Sequence, residues 1–213
     1  MKVALIGATG FVGSAILTEA LDRGHQVTAI ARHPETLQAR AGLRPQKGDI
    51  YNIDDMASLI AGHDAVISAF SPSKIDPDIR RKQVEGIETL IAAMKRVGLR
   101  RLLLVGGAGS LEVKPGLRVI DQPDFPEQWK GTALATADVL QALRAEHGLE
   151  WTFLSPAAML EAGARTGKFR LGTDRLLVGA NGQSRISTGD YAIAMIDELE
   201  QPTHVGQRFT VGY

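Results

Sequence analysis

A chain of 213 residues, with 24 basic side chains balanced by 24 acidic ones and no cysteine, has the length of one α/β domain and buries about 70% of its unfolded surface. Zero net charge gives no general attraction to nucleic acid or to a membrane surface. The lack of cysteine excludes disulfides, thiolate metal sites and cysteine nucleophiles; no apolar run is long enough to span a bilayer, and with no leader-like opening a cytoplasmic protein is expected.

The first element sets the expectation for the rest. Residues 3–6 (Val-Ala-Leu-Ile) read as a buried strand, and Gly7-Ala8-Thr9-Gly10-Phe11-Val12-Gly13 follows at once. Val12, Ala15, Ile16 and Ala20 then fall on one helical face, with Gly24 as a stop. Glycine permits a tight turn at the strand end and lets a pyrophosphate approach the backbone. The helix N-terminus offers free N–H groups and a partial positive charge to that anion. Strand, glycine triplet and helix in this order predict dinucleotide binding.

Strand and helix alternate from there. Residues 26–31 read as a second strand, 34–40 as a short helix, 44–47 as a third strand, 54–61 as a helix and 64–68 as a fourth strand. A long amphipathic helix is expected over 76–97, with Val84, Ile87, Ile91 and Met94 inward and Gly98 as its stop. Residues 101–105 form a fifth strand, too uniformly apolar to be exposed on either face. A helix over 126–147, with proline near its start and Gly148 at its end, precedes a sixth strand over 151–154. This alternation implies a single Rossmann-like domain, a doubly wound parallel sheet with helices on both faces. After Pro156 the pattern breaks. Residues 157–184 read as a substrate-side elaboration, with short strands near 176–178 and 185–186. A last helix opens at Ser187 and Asp190 as a capping box, and a final strand covers 209–211. The stretch 106–125, with little periodicity, is expected to wall the substrate site.

The Gly-x-x-Gly-x-x-Gly spacing with Ala8-Thr9 inside it resembles the short-chain dehydrogenase/reductase superfamily, in its extended and atypical branches, which bind NAD or NADP. Over nearly the whole chain the sequence resembles the atypical reductases that include NADH-flavin reductases and biliverdin-IXβ reductase. The glycine loop, Arg32, Ser110, Ser155-Pro156, Thr166-Gly167-Lys168-Phe169 and Ser184-Arg185-Ile186-Ser187 carry that resemblance. It implies hydride delivery from a nicotinamide to a flat, conjugated acceptor such as a flavin. Such an acceptor asks the protein for position and an apolar floor. The resemblance also implies that Asp49 and Ile50 flank the adenine; on its own, Asp49 serves equally as a cap for the following helix.

The end of the second strand bears on cofactor choice. It reads Ala31-Arg32-His33, with no acid until Glu35. An acid there would hold the ribose of NAD, whereas Arg32 suits a 2′-phosphate, so NADP(H) is expected over NAD(H). The alternative is a solvated arginine. Ser68-Ala69-Phe70 ends the fourth strand, where a ribose can lie against the backbone; Phe70 equally fills core. Ser155-Pro156-Ala157 fits a stiff loop packed on the nicotinamide.

Superfamily members pair a serine with Tyr-x-x-x-Lys. None of the tyrosines here, Tyr51, Tyr191 and Tyr213, has a lysine four residues on, and the helix after the fifth strand carries Glu127-Gln128-Trp129-Lys130 instead. An ordinary alcohol dehydrogenase mechanism is therefore not expected. Ser110 stands where the family serine lies and is the candidate catalytic donor, unless it only finishes a glycine-rich turn. Arg165, Lys168, Arg170 and Arg175 meet a substrate anion or face water. His147 reads as a helix C-terminal cation, and no histidine has metal-ligand spacing. Trp151 reads as sheet core and Trp129 as facing the acceptor. Three readings follow: a flavin-type reductase, a dinucleotide-binding redox sensor without turnover, and a nucleotide-sugar epimerase or dehydratase. The last is disfavoured by the missing tyrosine and the lack of a larger substrate domain. The expected partner is a small-molecule electron acceptor, and the chain a monomer or homodimer.

Overall fold

The computed structural model describes residues 1–213. In chain order the elements are β1 (Lys2–Ile6), α1 (Gly13–Asp22), β2 (Gln26–Ala31), β3 (Leu43–Lys47), α2 (Ile53–Ile60), β4 (Ala65–Ser68), α3 (Ile79–Val97) and β5 (Arg101–Val105). Then come β6 (Glu112–Lys114), β7 (Leu117–Arg118), α4 (Glu127–Arg144), β8 (Glu150–Ser155), β9 (Met159–Glu161), β10 (Arg170–Gly172), β11 (Arg185–Ser187), α5 (Thr188–Glu200) and β12 (Gln207–Gly212). Eight strands form one sheet in the order β10-β12-β8-β5-β4-β1-β2-β3. Only β10 runs antiparallel to its neighbour; the other pairings in the sheet are parallel.

Apolar residues on both faces explain this architecture. One core of 23 buried residues joins α1 and α5 to the sheet, and another of 21 joins α2, α3 and α4 to the opposite face. The near-equal cores bury the central strands from both sides, hence the continuous Leu102-Leu103-Leu104 run in β5. The chain runs from β1 outward to β2 and β3, then crosses to β4 on the other side of β1. That reversal opens a crevice beyond the carboxyl ends of β1 and β4. No helix is long and apolar enough to cross a membrane.

Several local expectations need correction. The helix expected over 34–40 is a single 3-10 turn, Pro34–Thr36. α3 begins at Ile79 because Pro77 disfavours helix at the preceding residue, and Asp76 instead closes a turn onto the Asp78 N–H (2.9 Å). α4 ends at Arg144, which leaves His147 beyond the last turn rather than capping it. Residues 176–178 form no strand; β10 pairs with β12 instead. The 106–125 stretch holds the β6–β7 hairpin, and Glu112 exchanges backbone bonds with Asp174 and Leu176 (2.8 and 2.9 Å). The capping box at α5 is half formed. Ser187 Oγ accepts from the Asp190 N–H at 3.0 Å, but the Asp190 carboxylate turns to other partners.

Candidate functional site

At the β1 end the chain turns through Gly7, whose φ is +80°. A Cβ there would lie 2.7 Å from the Ala69 carbonyl oxygen across the crevice, and one on Gly13 would lie 2.0 Å from Gly7 O. Both positions therefore need glycine for the loop to fold back on itself. Gly10 N donates to Gly7 O (3.0 Å), and the helical ladder begins with Ser14 N on Gly10 O (3.0 Å). The N–H groups of Phe11, Val12 and Gly13 have no partner within the chain. Three successive free donors at the start of α1 form a cradle for a pyrophosphate. Ala8 is buried beneath it, while Thr9, Gly10 and Phe11 are exposed.

A groove and side chains flank the cradle on its two sides. A groove of about 400 Å³ runs from Ala8 and Thr9 along α1 to Thr36, Leu37 and Arg40. Arg32 is exposed at the end of β2, and Glu35, the first acid after it, is taken by His33 Nδ1 at 3.0 Å. On the other side Ile50 is buried and Asp49 exposed. Asp49 does not cap α2: its Oδ1 accepts from the Tyr51 N–H (3.1 Å), whereas Asn52 Oδ1 accepts from Asp54 and Asp55. Phe70 meets Tyr51 edge-on, ring centroids 5.9 Å apart, and packs against Gly86 of α3. Its carbonyl accepts from the buried Gln83 amide at 3.0 Å. Ser68 is buried, with Oγ only 3.4 Å from the Phe70 N–H, so it finishes the strand and the Ala69 backbone lines the crevice.

Toward the other end, Ser155, Pro156 and Ala157 are all buried where β8 stops, and Ser155 Oγ makes no hydrogen bond. Trp129, at the start of α4, is 43% exposed, and Lys74 Nζ sits 4.6 Å from its ring centroid. Ser110 is half-buried on the loop after β5. Its Oγ accepts from Arg208 Nη1 at 3.0 Å, and Arg208, buried on β12, also binds Asp174 through Nε at 2.8 Å. Sequence reasoning missed Arg208, which lies 98 residues from Ser110. The tie links the loop after β5 to β12, so the Ser110 oxygen already has a partner in the fold. Two of the four late-loop cations are committed elsewhere. Arg165 grips Glu19 of α1 (2.6 and 2.9 Å), and Arg170 donates to the carbonyls of Val178 and Tyr213.

None of the three tyrosines is placed as an acid. Tyr191 is fully buried, donates to Leu154 O at 2.7 Å, and burial pushes its phenol far up. Tyr213 donates to Asp190 Oδ2 at 2.7 Å, and Tyr51 packs edge-on against Phe70, its phenol also raised by burial. Asp190, which the sequence marks only as the acid of a capping box, accepts from Thr166 N, Thr166 Oγ1 and Gly167 N (2.7, 2.6 and 2.8 Å). Burial alone would push its carboxyl up; the bonds from Thr166, Tyr213 and Gly167 outweigh it and hold the group below the usual aspartate range.

Comparison with known proteins agrees with this geometry. The sequence profile described as NAD(P)H-binding matches residues 7–202. The uncharacterized protein YwnB of Bacillus subtilis is 42% identical over 99% of this chain and 98% of its own. A 3-beta-hydroxysteroid dehydrogenase of Mycolicibacterium neoaurum is 26% identical over 84% of this chain, which spans about half (52%) of that protein. Among solved structures, a "putative epimerase" from Bacteroides thetaiotaomicron superposes with a TM-score of 0.93 at 46% identity, covering 100% of this chain and 96% of the other. A "putative NADH-flavin reductase" from Streptococcus pneumoniae gives 0.87 at 38% identity, covering 100% and 99%. With the glycine cradle at the β1–β4 crevice and a match spanning almost its full length, the chain belongs to the NAD(P)H-binding family, as an atypical member of the short-chain dehydrogenase/reductase type.

Proposed function

We propose that the protein is a reductase that passes a hydride from NADPH to a flavin or a similar flat acceptor. The carrying observation is the pairing of a complete pyrophosphate cradle with a cleft that has no placed tyrosine acid. Bound NADPH would supply the hydride, and the phosphate of its adenosine half would meet Arg32. The Phe11, Val12 and Gly13 N–H groups hold the pyrophosphate, and buried Pro156 and Ala157 support the nicotinamide end. Trp129 offers an exposed aromatic face to a flat ring. A conjugated acceptor takes its proton from water, so no acid of the chain is required.

The epimerase name of one neighbour does not favour that chemistry here, since such enzymes use a tyrosine and all three in this chain are otherwise engaged or remote. The test is NADPH oxidation by purified protein, with and without flavin mononucleotide, with NADH in parallel. Saturable, flavin-dependent oxidation favouring NADPH supports the reductase. Binding without consumption, across several conjugated acceptors, replaces it with a redox sensor.

A further inference from the structure

We propose that Thr132 is the hydrogen-bond partner of the nicotinamide-side ribose of the bound dinucleotide; this rests on the cofactor reading above. The inner face of α4 is defined by the buried Ala135, Val139, Leu140 and Leu143. At about 100° per residue, Thr132 falls in the middle of that stripe, as does Thr136 one turn on. At Thr136 the stripe meets the end of β5, where a Cβ on Gly107 would lie 2.6 Å from Thr136 Oγ1. Thr132 lies about 6 Å further along the helix axis. That places it beyond the strand end, at the level where a dinucleotide crosses the sheet edge.

The two hydroxyls differ in what they do. Thr136 Oγ1 donates to its own helix, with Thr132 O at 3.2 Å and Ala133 O at 3.1 Å. Thr132 Oγ1 is buried and has no partner at all. An orphaned buried hydroxyl weakens a fold, and a valine of the same shape would not. The ligand-free fold therefore gains nothing from this oxygen. Ser155 Oγ, also without a partner, shares the α4 side of the sheet, since Phe153 two residues earlier packs in that core, and Thr210, its register partner on β12, carries a third orphaned hydroxyl. Trp129 lies about one turn nearer the helix N-terminus than Thr132, partly exposed and under Lys74.

The experiment measures equilibrium binding of NADPH and of adenosine 2′,5′-bisphosphate, which lacks the nicotinamide half, to wild type, Thr132→Val and Thr132→Ser. Thr132→Val is expected to bind NADPH about fivefold to tenfold more weakly and the fragment as before. Thr132→Ser keeps near-wild-type affinity. Ligand-free Thr132→Val melts about 2–4 °C higher, because the orphan is gone. Unchanged NADPH affinity in Thr132→Val, or parallel loss of the fragment, overturns the proposal. If wild type binds neither ligand, the cofactor reading itself fails and takes the proposal with it.

Discussion

Arg32 stands exposed at the end of β2, beside a carboxylate already occupied by His33. A guanidinium so placed can bind a 2′-phosphate through paired, charge-assisted bonds, each worth about 1.5–3 kcal/mol. Arg32→Ala is expected to weaken NADPH binding about tenfold or more and NADH binding far less. Equal loss for both nucleotides, read by titration, would remove the phosphate assignment. Ser110 leads to a different expectation. Its oxygen takes a bond from buried Arg208, so Ser110→Ala costs about 1–3 kcal/mol of stability in a denaturant titration and leaves turnover nearly intact. A collapse of turnover with unchanged stability would restore Ser110 as the proton donor.

Among the elements, the start of α5 acts as a latch. Asp190 holds the 166–167 backbone and the Tyr213 hydroxyl, while Arg165 beside them is anchored to α1 through Glu19. Because the folded Asp190 titrates below its ordinary value of 3.8, its contribution is fully present above that value. It is lost as pH falls through the lower, folded pKa. Asp190→Asn is expected to lose about 2–3 kcal/mol at neutral pH, and its stability should fall less steeply with acid than wild type below pH 3.8. Parallel acid limbs for the two proteins would deny Asp190 that role. Legibility divides along the same line. The glycine loop, β2 and β5 could be read directly because local backbone needs and apolar runs dictate them. The Tyr213–Asp190 and Arg208–Ser110 bonds and the Glu19–Arg165 pair could not, because they join residues 23 to 146 positions apart. Three-residue β10 gave no periodicity to read, and nothing in a sequence separates the orphaned Thr132 hydroxyl from the self-bonded one at Thr136.

At the scale of the molecule, the cradle and the most deeply buried ion pair occupy opposite edges of the sheet. Arg101, the first residue of β5, reaches Glu198 of α5 at 3.0 Å and also Thr152 Oγ1 and Glu150 O (2.7 and 3.0 Å). Glu198 is closed in turn by Thr203 N (3.2 Å) and His204 Nδ1 (2.8 Å). Burial pushes its carboxyl up, and the bonds from His204 and Thr203 more than reverse this. The pair lies one strand length, about 16 Å, from the edge that holds the glycine loop. Breaking a buried pair strands the remaining charge, so Arg101→Met is expected to cost about 3–5 kcal/mol. Replacing both partners, Arg101→Met with Glu198→Leu, should recover much of that loss, since no buried charge is then left alone. NADPH affinity should stay at the wild-type value in every variant that folds. An Arg101→Met protein that remained folded yet bound NADPH as poorly as Arg32→Ala would mean that strain at the lower edge reaches the cradle through β5, and that the two edges do not act independently.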